Sequence, residues 1–265
     1  MDKVRPKKNL GQHFLKDEAI AKQIVESLTG HGDYETLLEI GPGTGVLSQF
    51  LMQKKPWQWW GLDIDTESVA YLKKHFPAFD ARILEKDFLS IKLDDMFPGE
   101  GNIGIIGNFP YNISTQILFK ILENRSRVTE MVGMFQKEVA QRVMAGPGGK
   151  VNGILSILCQ AFYDIEYLFQ VSENVFHPPP KVKSAVIRMK RNKVNQLDCD
   201  EKLFFSVVKM AYNQRRKTLR NALKPMKVQW EQIDPDLSGQ RAEQLSVDEF
   251  VRIVKAVPEQ STVSS

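Results

Sequence analysis

The chain has 265 residues, 42% of them hydrophobic and 26% charged, with a formal net charge of +4. That balance excludes a disordered chain, and no apolar run approaches the roughly 18 residues that a bilayer-spanning helix needs. The length suits one sizeable core and a smaller second unit.

The first nine residues are basic, with Lys3, Arg5, Lys7 and Lys8, and lead into Gln12 and His13 rather than an apolar signal core, so a cytoplasmic location is expected. Asn9 to Leu15 precedes a helix that Asp17 would cap, with Ile20, Ile24, Val25 and Leu28 on one face. The segment ahead of that helix either covers a ligand or serves as an arm. Thr36 to Ile40 reads as a buried strand, followed by Gly41-Pro42-Gly43-Thr44-Gly45 and a helix through Val46, Leu47, Phe50 and Leu51. Strand, glycine loop and helix in that order form a nucleotide-binding first turn. The spacing is Gly-x-Gly-x-Gly with Glu39 just upstream, which favours S-adenosylmethionine over a pyrophosphate cofactor; a structural glycine turn is the alternative.

A second strand, Trp57 to Leu62, ends at Asp63-Ile64-Asp65. An acid about 20 residues beyond the glycine loop is placed to accept from two ribose hydroxyls. A helix is expected over Thr66 to His75, and Trp57, Trp59 and Trp60 read as packing residues. The third strand, Arg82 to Glu85, leads to Asp87-Phe88. Either Asp87 accepts from an adenine amino group while Phe88 packs on the ring, or the two are a loop acid and a core aromatic.

The fourth strand, Ile103 to Gly107, runs into Asn108-Phe109-Pro110-Tyr111. Residues just past such a strand face the crevice where open α/β sheets bind ligands. A purine amino nitrogen is a poor nucleophile, because its lone pair is delocalised into the ring. A site that methylates it must accept its hydrogens and align it with the methyl donor. The Asn108 side-chain oxygen and the Pro110 carbonyl are suitable acceptors, and Tyr111 offers a face for stacking. A strand end with an ordinary Asn-x-Pro turn is the alternative.

Ser114 is a candidate cap for a helix through Ile117, Leu118, Ile121 and Leu122. Met131 to Phe135 is the fifth strand, Gln136 to Val143 a helix, Ala145 to Lys150 a loop and Asn152 to Ala161 a core helix. Strand Asp164 to Val171 follows, then Phe176-His177-Pro178-Pro179-Pro180-Lys181-Val182-Lys183, a stiff turn into a last strand. Phe176 either flanks a base opposite Tyr111 or anchors the turn. The two cysteines, Cys159 in an apolar helical pattern and Cys199 in a polar stretch, fit a reducing compartment and no metal site.

Beyond a polar linker from Arg191 to Cys199 the pattern is helical: Leu203 to Tyr212, Arg215 to Leu223, Gln229 to Ile233 and Val247 to Val257. Cations cluster at Lys181, Lys183, Arg188, Lys190, Arg191 and Lys193, and again at Arg215, Arg216, Lys217 and Arg220. Such clustering points to a polyanion, most simply nucleic acid; solvated helix faces are the alternative. The expected division is a Rossmann-like α/β domain over 1–192, an all-helical RNA-binding domain over 193–258 and a disordered tail over 259–265.

With these pieces in order, the chain from about Lys7 to Val257 resembles the small-subunit ribosomal RNA adenine dimethyltransferase family, the kasugamycin-sensitivity methylases. The matching segments are Leu10 to Leu15, Glu39 to Gly45, Asn108 to Thr115, Gln136 to Val139, Pro178 to Val186 and Asn213 to Arg220. The resemblance implies a class I S-adenosylmethionine-dependent methyltransferase acting on N6 of two adjacent adenosines near the 3′ end of the small-subunit rRNA. Each would receive two methyls, late in assembly of the small subunit. Carried over by position, His13 and Leu15 border the donor's methionine part and Gly41 touches it. Asp63 holds the ribose, Asp87 the adenine, and Asn108 lies between donor and target. Gln12, Glu39, Gly43, Ile64 and Phe88 belong to the same pocket. Lys181, Lys183, Arg215, Arg216, Lys217 and Arg220 would hold RNA, and neither a metal nor a partner subunit is expected. Departures are His13, where the family commonly has Asn; Phe109, where it has Leu; and Ile154, where it often has Arg, so no RNA contact is carried over there. Three rival readings are a large-subunit rRNA methylase of the macrolide-resistance type, a non-catalytic assembly checkpoint factor and a dinucleotide oxidoreductase. Pro178 to Pro180 and the Gln214 to Arg220 segment argue against the first, Asn108 and Tyr111 against the other two.

Overall fold

The computed structural model describes residues 4–54 and 56–258, so Lys3 and the tail over 259–265 lie outside the described residues. The chain divides into two compact units, Met1–Ala140 with Tyr163–Asn192 and Gln141–Phe162 with Lys193–Ser265. The helical part beyond 193 was expected to stand alone. It instead takes in Gln141–Phe162, because the helix of that segment packs on the helices of the later one.

In the first unit, β1 (Phe14–Leu15) leads to α1 (Glu18–Glu26). The Asp17 carboxylate caps α1 by accepting from the Ile20 amide at 3.1 Å, and Ala21, Ile24 and Val25 are its buried stripe. The alternation then runs β2 (Thr36–Ile40), α2 (Ser48–Leu51), β3 (Gln58–Asp63), α3 (Thr66–His75), β4 (Ile83–Glu85), α4 (Leu93–Met96), β5 (Ile103–Asn108), α5 (Ser114–Glu123) and β6 (Val128–Gln136). After α6 (Lys137–Met144), inside which the two units meet along the chain, and α7 (Ile154–Gln160) come β7 (Tyr163–Val171), β8 (Phe176–His177) and β9 (Ser184–Arg191). Ser114 does not cap α5 with its side chain; its hydroxyl donates to the Tyr111 carbonyl instead.

The main sheet has the order β4-β3-β2-β5-β6-β9-β7 among the described residues. β4, β3, β2, β5 and β6 pair parallel, and β9 is antiparallel to both β6 and β7. The order reverses between β2 and β5, so their carboxyl ends open the crevice that doubly wound sheets use for ligands. β5 and β6 are buried along nearly their whole length, as strands covered on both faces must be. Glu130 on β6 is fully buried and accepts from the Thr29 amide and hydroxyl (2.9 and 2.6 Å), the Gly30 amide (2.9 Å) and the Tyr34 hydroxyl (2.8 Å). A buried carboxylate is tolerated there because donors surround it. The tryptophans do pack: Trp57 stacks on Tyr34, Trp60 meets Phe97 edge-on, and the Trp59 indole is buried.

The second unit holds α7, α8 (Glu201–Asn213), α9 (Leu219–Ala222) and α10 (Val247–Lys255). Phe204, Val207, Val208, Phe250 and Ile253 are buried there, and the Tyr212 hydroxyl bonds Asn152. Ser246 and Glu249 cap α10 reciprocally. The helix expected from Arg215 starts only at Leu219. Thr218 is extended, so Gln214 to Lys217 form a turn closed by the Lys217 amide on the Gln214 carbonyl (2.8 Å). Gln229 to Ile233 likewise reduces to a single tight turn, Trp230–Gln232.

Candidate active site

At the carboxyl ends of β2, β3 and β5 one cavity is lined by the glycine turn, by Asp63, Ile64 and Asp87, by Asn108 to Ile113, and by the arm residues Leu10 to Phe14. The Gly41 amide still donates to the Leu62 carbonyl (2.8 Å), after which the backbone leaves the sheet. Gly43 turns it with φ +56°, a conformation that L side chains rarely adopt. A Cβ there would also stand 2.8 Å from Phe14 Cε1, so the close backbone approach requires glycine. The Gly43 amide donates to Asp63 Oδ2 (3.0 Å) and the Asp65 amide to Asp63 Oδ1 (2.9 Å), fixing a carboxylate that is 6% exposed. Burial, aided by the charge of Asp65, pushes that carboxyl above its ordinary value, against the pull of the Asp65, Gly43 and Ile64 amides. The carboxylate keeps acceptor capacity for a hydroxyl donor. Ile64 beside it is 55% exposed, an apolar side chain at the cavity wall, and Asp87 turns its own loop by accepting from the Leu89 amide (2.9 Å).

Asn108 is oriented by its neighbours. Its Nδ2 donates to the His13 carbonyl (2.9 Å), which leaves Oδ1 as an acceptor without a partner among the described residues. The Pro110 carbonyl already accepts from the Ile113 amide (3.2 Å) in a tight turn and retains one lone pair. The Tyr111 hydroxyl is 2.5 Å from Ser184 Oγ at the start of β9, and its ring stacks on His13 with centroids 5.3 Å apart. Burial raises the Tyr111 phenol, so the group stays neutral. His13 Nδ1 lies 2.7 Å from the Pro178 carbonyl, and since a carbonyl only accepts, the ring nitrogen is the donor.

The arm is tied to the same region from its other side. Lys7 pairs with Asp65 and, at 3.3 Å, with Glu67, while Gln12 Nε2 donates to Asp65 Oδ2 (3.0 Å). Asp65 is 1% exposed; burial raises its carboxyl, but hydrogen bonds from Lys7, Gln12 and Ser68 outweigh this and hold it below its ordinary value.

Gln12, His13, Gly41, Gly43, Asp63, Ile64, Asp87, Asn108, Pro110 and Tyr111 are therefore brought together. Four expected residues are not. Leu15 is buried in the core, because successive side chains of β1 point to opposite faces and Phe14 takes the cavity side. Glu39 is 1% exposed and accepts from the Ser48 hydroxyl (2.7 Å) and the Trp59 indole N–H (2.8 Å), so it faces the interior. Phe88 is buried and Leu89 lines the cavity in its place. Phe176, paired with Leu15 across β1 and β8, is 1% exposed and has no free face for a base. Leu10, Gly11, Phe14, Leu89, Phe109, Asn112 and Ile113 line the cavity beyond the expected site residues, and all but Leu89 lie inside the Leu10 to Leu15 and Asn108 to Thr115 segments.

Among the basic residues, Lys181, Lys183, Arg216, Lys217 and Arg220 are exposed. Arg215 donates to the Lys150 carbonyl and lies 3.7 Å from Glu243, and Arg188 and Lys190 pair with Glu166 (2.5 and 2.9 Å). No group of three or more His, Cys, Asp or Glu among the described residues is placed to hold a metal ion.

The sheet order, the reversal between β2 and β5 and the glycine turn at that point define the Rossmann-like fold of the class I methyltransferases. Solved structures of that fold superpose over most of the chain. A dimethyladenosine transferase from Plasmodium falciparum matches with a TM-score of 0.74 at 23% identity, over 91% of this chain and 96% of that one. The 23S rRNA methyltransferase ErmE matches with a TM-score of 0.69 at 21% identity, over 92% and 99%. In sequence, the ribosomal RNA small subunit methyltransferase A of Cytophaga hutchinsonii is 58% identical over 250 residues, 94% of this chain and 96% of the relative. The protein of the same name from Flavobacterium johnsoniae is 52% identical over 257 residues, 97% of each. The sequence model of the ribosomal RNA adenine dimethylases matches residues 3–259, and the chain belongs to that family.

Proposed function

We propose that this protein transfers methyl groups from S-adenosylmethionine to N6 of two adjacent adenosines near the 3′ end of small-subunit ribosomal RNA, two methyls to each, late in subunit assembly. One observation carries the reading: Asn108 to Tyr111 border the same cavity as Gly41, Gly43 and Asp63. A donor seated on the glycine turn and an amino group presented to Asn108 are then neighbours. The names borne by relatives at 52–58% identity support the small subunit as the source of the RNA.

The residues present fit such a donor. Gly43 leaves no room for a Cβ, so the loop is shaped for backbone contact; Asp63 keeps acceptor capacity for a hydroxyl donor; Ile64 offers an apolar face; Asp87 offers a carboxylate. When bound, the donor supplies an electrophilic methyl on a sulfonium centre. The chain supplies position. Asn108 Oδ1, aimed by the His13 carbonyl, and the spare lone pair of Pro110 accept the two amino hydrogens, turning the nitrogen lone pair out of conjugation. Tyr111, held by Ser184, gives the adenine a ring to stack on once it has left its own stack. The exposed cations Lys181, Lys183, Arg216, Lys217 and Arg220 hold phosphates, recognising RNA by shape more than by sequence.

The test uses labelled S-adenosylmethionine with small and large ribosomal subunits from cells lacking the modification, followed by mass mapping. Four methyls on two neighbouring adenosines of the small subunit are expected. Label on the large subunit would refute the substrate, and no label on either subunit would refute the reaction.

A further inference from the structure

A second groove adjoins the cavity through shared walls, and neither the donor nor the reacting base accounts for it. Its borders include Lys8, His13, Tyr111, Gln136, Pro179 and Lys181. No Asp or Glu lines it among the described residues, while Lys8 and Lys181 are exposed beside it, so its charge suits a phosphodiester. Tyr111 and His13 border both spaces, which makes the groove continuous with the place where the reacting base stacks. A chain threaded past Tyr111 would put the next nucleotide in it.

Gln136 stands at its inner wall. It is the last residue of β6, whose Met134 is in register with Asn108, and it is directly across from Ser184, the residue that holds the Tyr111 hydroxyl. The rigid sheet thus fixes its place relative to both catalytic residues. Its side chain is half-buried, yet the amide has no hydrogen-bond partner among the described residues. A carboxamide so placed has one acceptor and two donors to offer, the set that matches the amino group and ring nitrogen of an adenine edge. The Gln136-Lys137-Glu138-Val139 motif has no other assigned use.

We infer that this groove binds the nucleotide adjacent to the reacting adenosine, with Gln136 reading its base as an unmethylated adenine and Lys8 and Lys181 holding the flanking phosphates. The inference rests on the proposed function, in which that neighbour is itself an adenosine. A dimethylated neighbour carries no N6 hydrogen and puts methyl groups where the Gln136 oxygen would accept. The groove therefore favours the unmodified neighbour, and the first adenosine to be completed weakens the grip on the RNA when it takes the neighbouring place.

The experiment measures binding, without donor, of the full chain to small-subunit particles reassembled around a synthetic 3′ RNA segment. One segment carries both adenosines; in others one of the two is purine riboside, which lacks the amino group, or N6,N6-dimethyladenosine. Wild type is expected to bind the unmodified pair about tenfold tighter than either altered pair. Gln136→Ala and the similarly sized Gln136→Met, which keep neither acceptor nor donor, are expected to bind all three alike, with the affinity for S-adenosylmethionine kept as evidence of folding. Equal preference in wild type and both variants, or no preference in wild type, overturns the assignment of Gln136 while leaving methylation of the RNA intact. Failure of every form to bind the particles overturns the inference together with the function beneath it.

Discussion

Replacing Glu39 by Gln separates a donor-binding role for this residue from the interior role its surroundings describe. Ser48 and Trp59 both donate to one oxygen of the carboxylate, at 2.7 and 2.8 Å, and a Gln carbonyl can accept both bonds without moving. What the substitution removes is charge. Burial, aided by the nearby Asp63 and opposed by the two donors, raises the Glu39 carboxyl from 4.5 to about 7. Between those values the unfolded chain has released this proton while the folded chain retains it. Fewer protons bound in the unfolded state means that stability falls as pH rises through that window. The stability is fully present below the unfolded value and is lost once pH passes the folded one, and the rise corresponds to about 3 kcal/mol. Thermal unfolding followed from pH 4 to 8 should show the wild-type midpoint dropping by roughly 5–10 °C relative to that of Glu39→Gln. Calorimetric titration should find S-adenosylmethionine affinity within about threefold of wild type, well under 1 kcal/mol of change. Parallel pH profiles for the two proteins, with donor binding lost in the variant, would refute the interior role and restore Glu39 to the pocket.

Gly43→Ala forces a Cβ into a left-handed backbone conformation, costing about 1–2 kcal/mol, and against Phe14. Donor affinity measured by titration should fall at least about tenfold, and an unchanged value would mean that the turn does not touch the donor. Asn108→Ala should leave RNA binding within error and lower single-turnover methyl transfer by about 100-fold or more; equal losses in both would remove Asn108 from between donor and base. Glu130→Ala strands four donors, from Thr29, Gly30 and Tyr34, in the interior. It should cost about 3–5 kcal/mol, seen as a lowered denaturation midpoint, and a midpoint within error of wild type would show that water satisfies those groups.

Local signals were enough for the elements that line the cavity. The apolar run into Asn108, the glycine turn after Ile40 and the acid ending β3 each follow from short-range rules about strands, turns and φ, and the resemblance joined them into one pocket. The cation run at Arg215 misled, because helical periodicity continued through Thr218 while the backbone there is extended and the run became a turn. What neighbours in sequence could not settle was which member of each adjacent pair faces the cavity. Phe14 against Leu15 is decided by which face of β1 lies over the core, and Leu89 against Phe88 by which side chain of the turn after β4 is buried there. Glu39 turned inward because Trp59, 1% exposed on the adjoining strand, brought an indole N–H to it. Phe176 could not be placed from the proline turn that follows it, since its direction is set by pairing with Leu15, which lies far away along the chain. The sequence by itself determined the order of strands and turns and the residue types gathered at the ends of β2, β3 and β5, because those depend on local backbone preference and alternation. Only the tertiary structure decided which side chains are exposed in the cavity and which are spent in the core, because burial is settled by partners brought from distant segments.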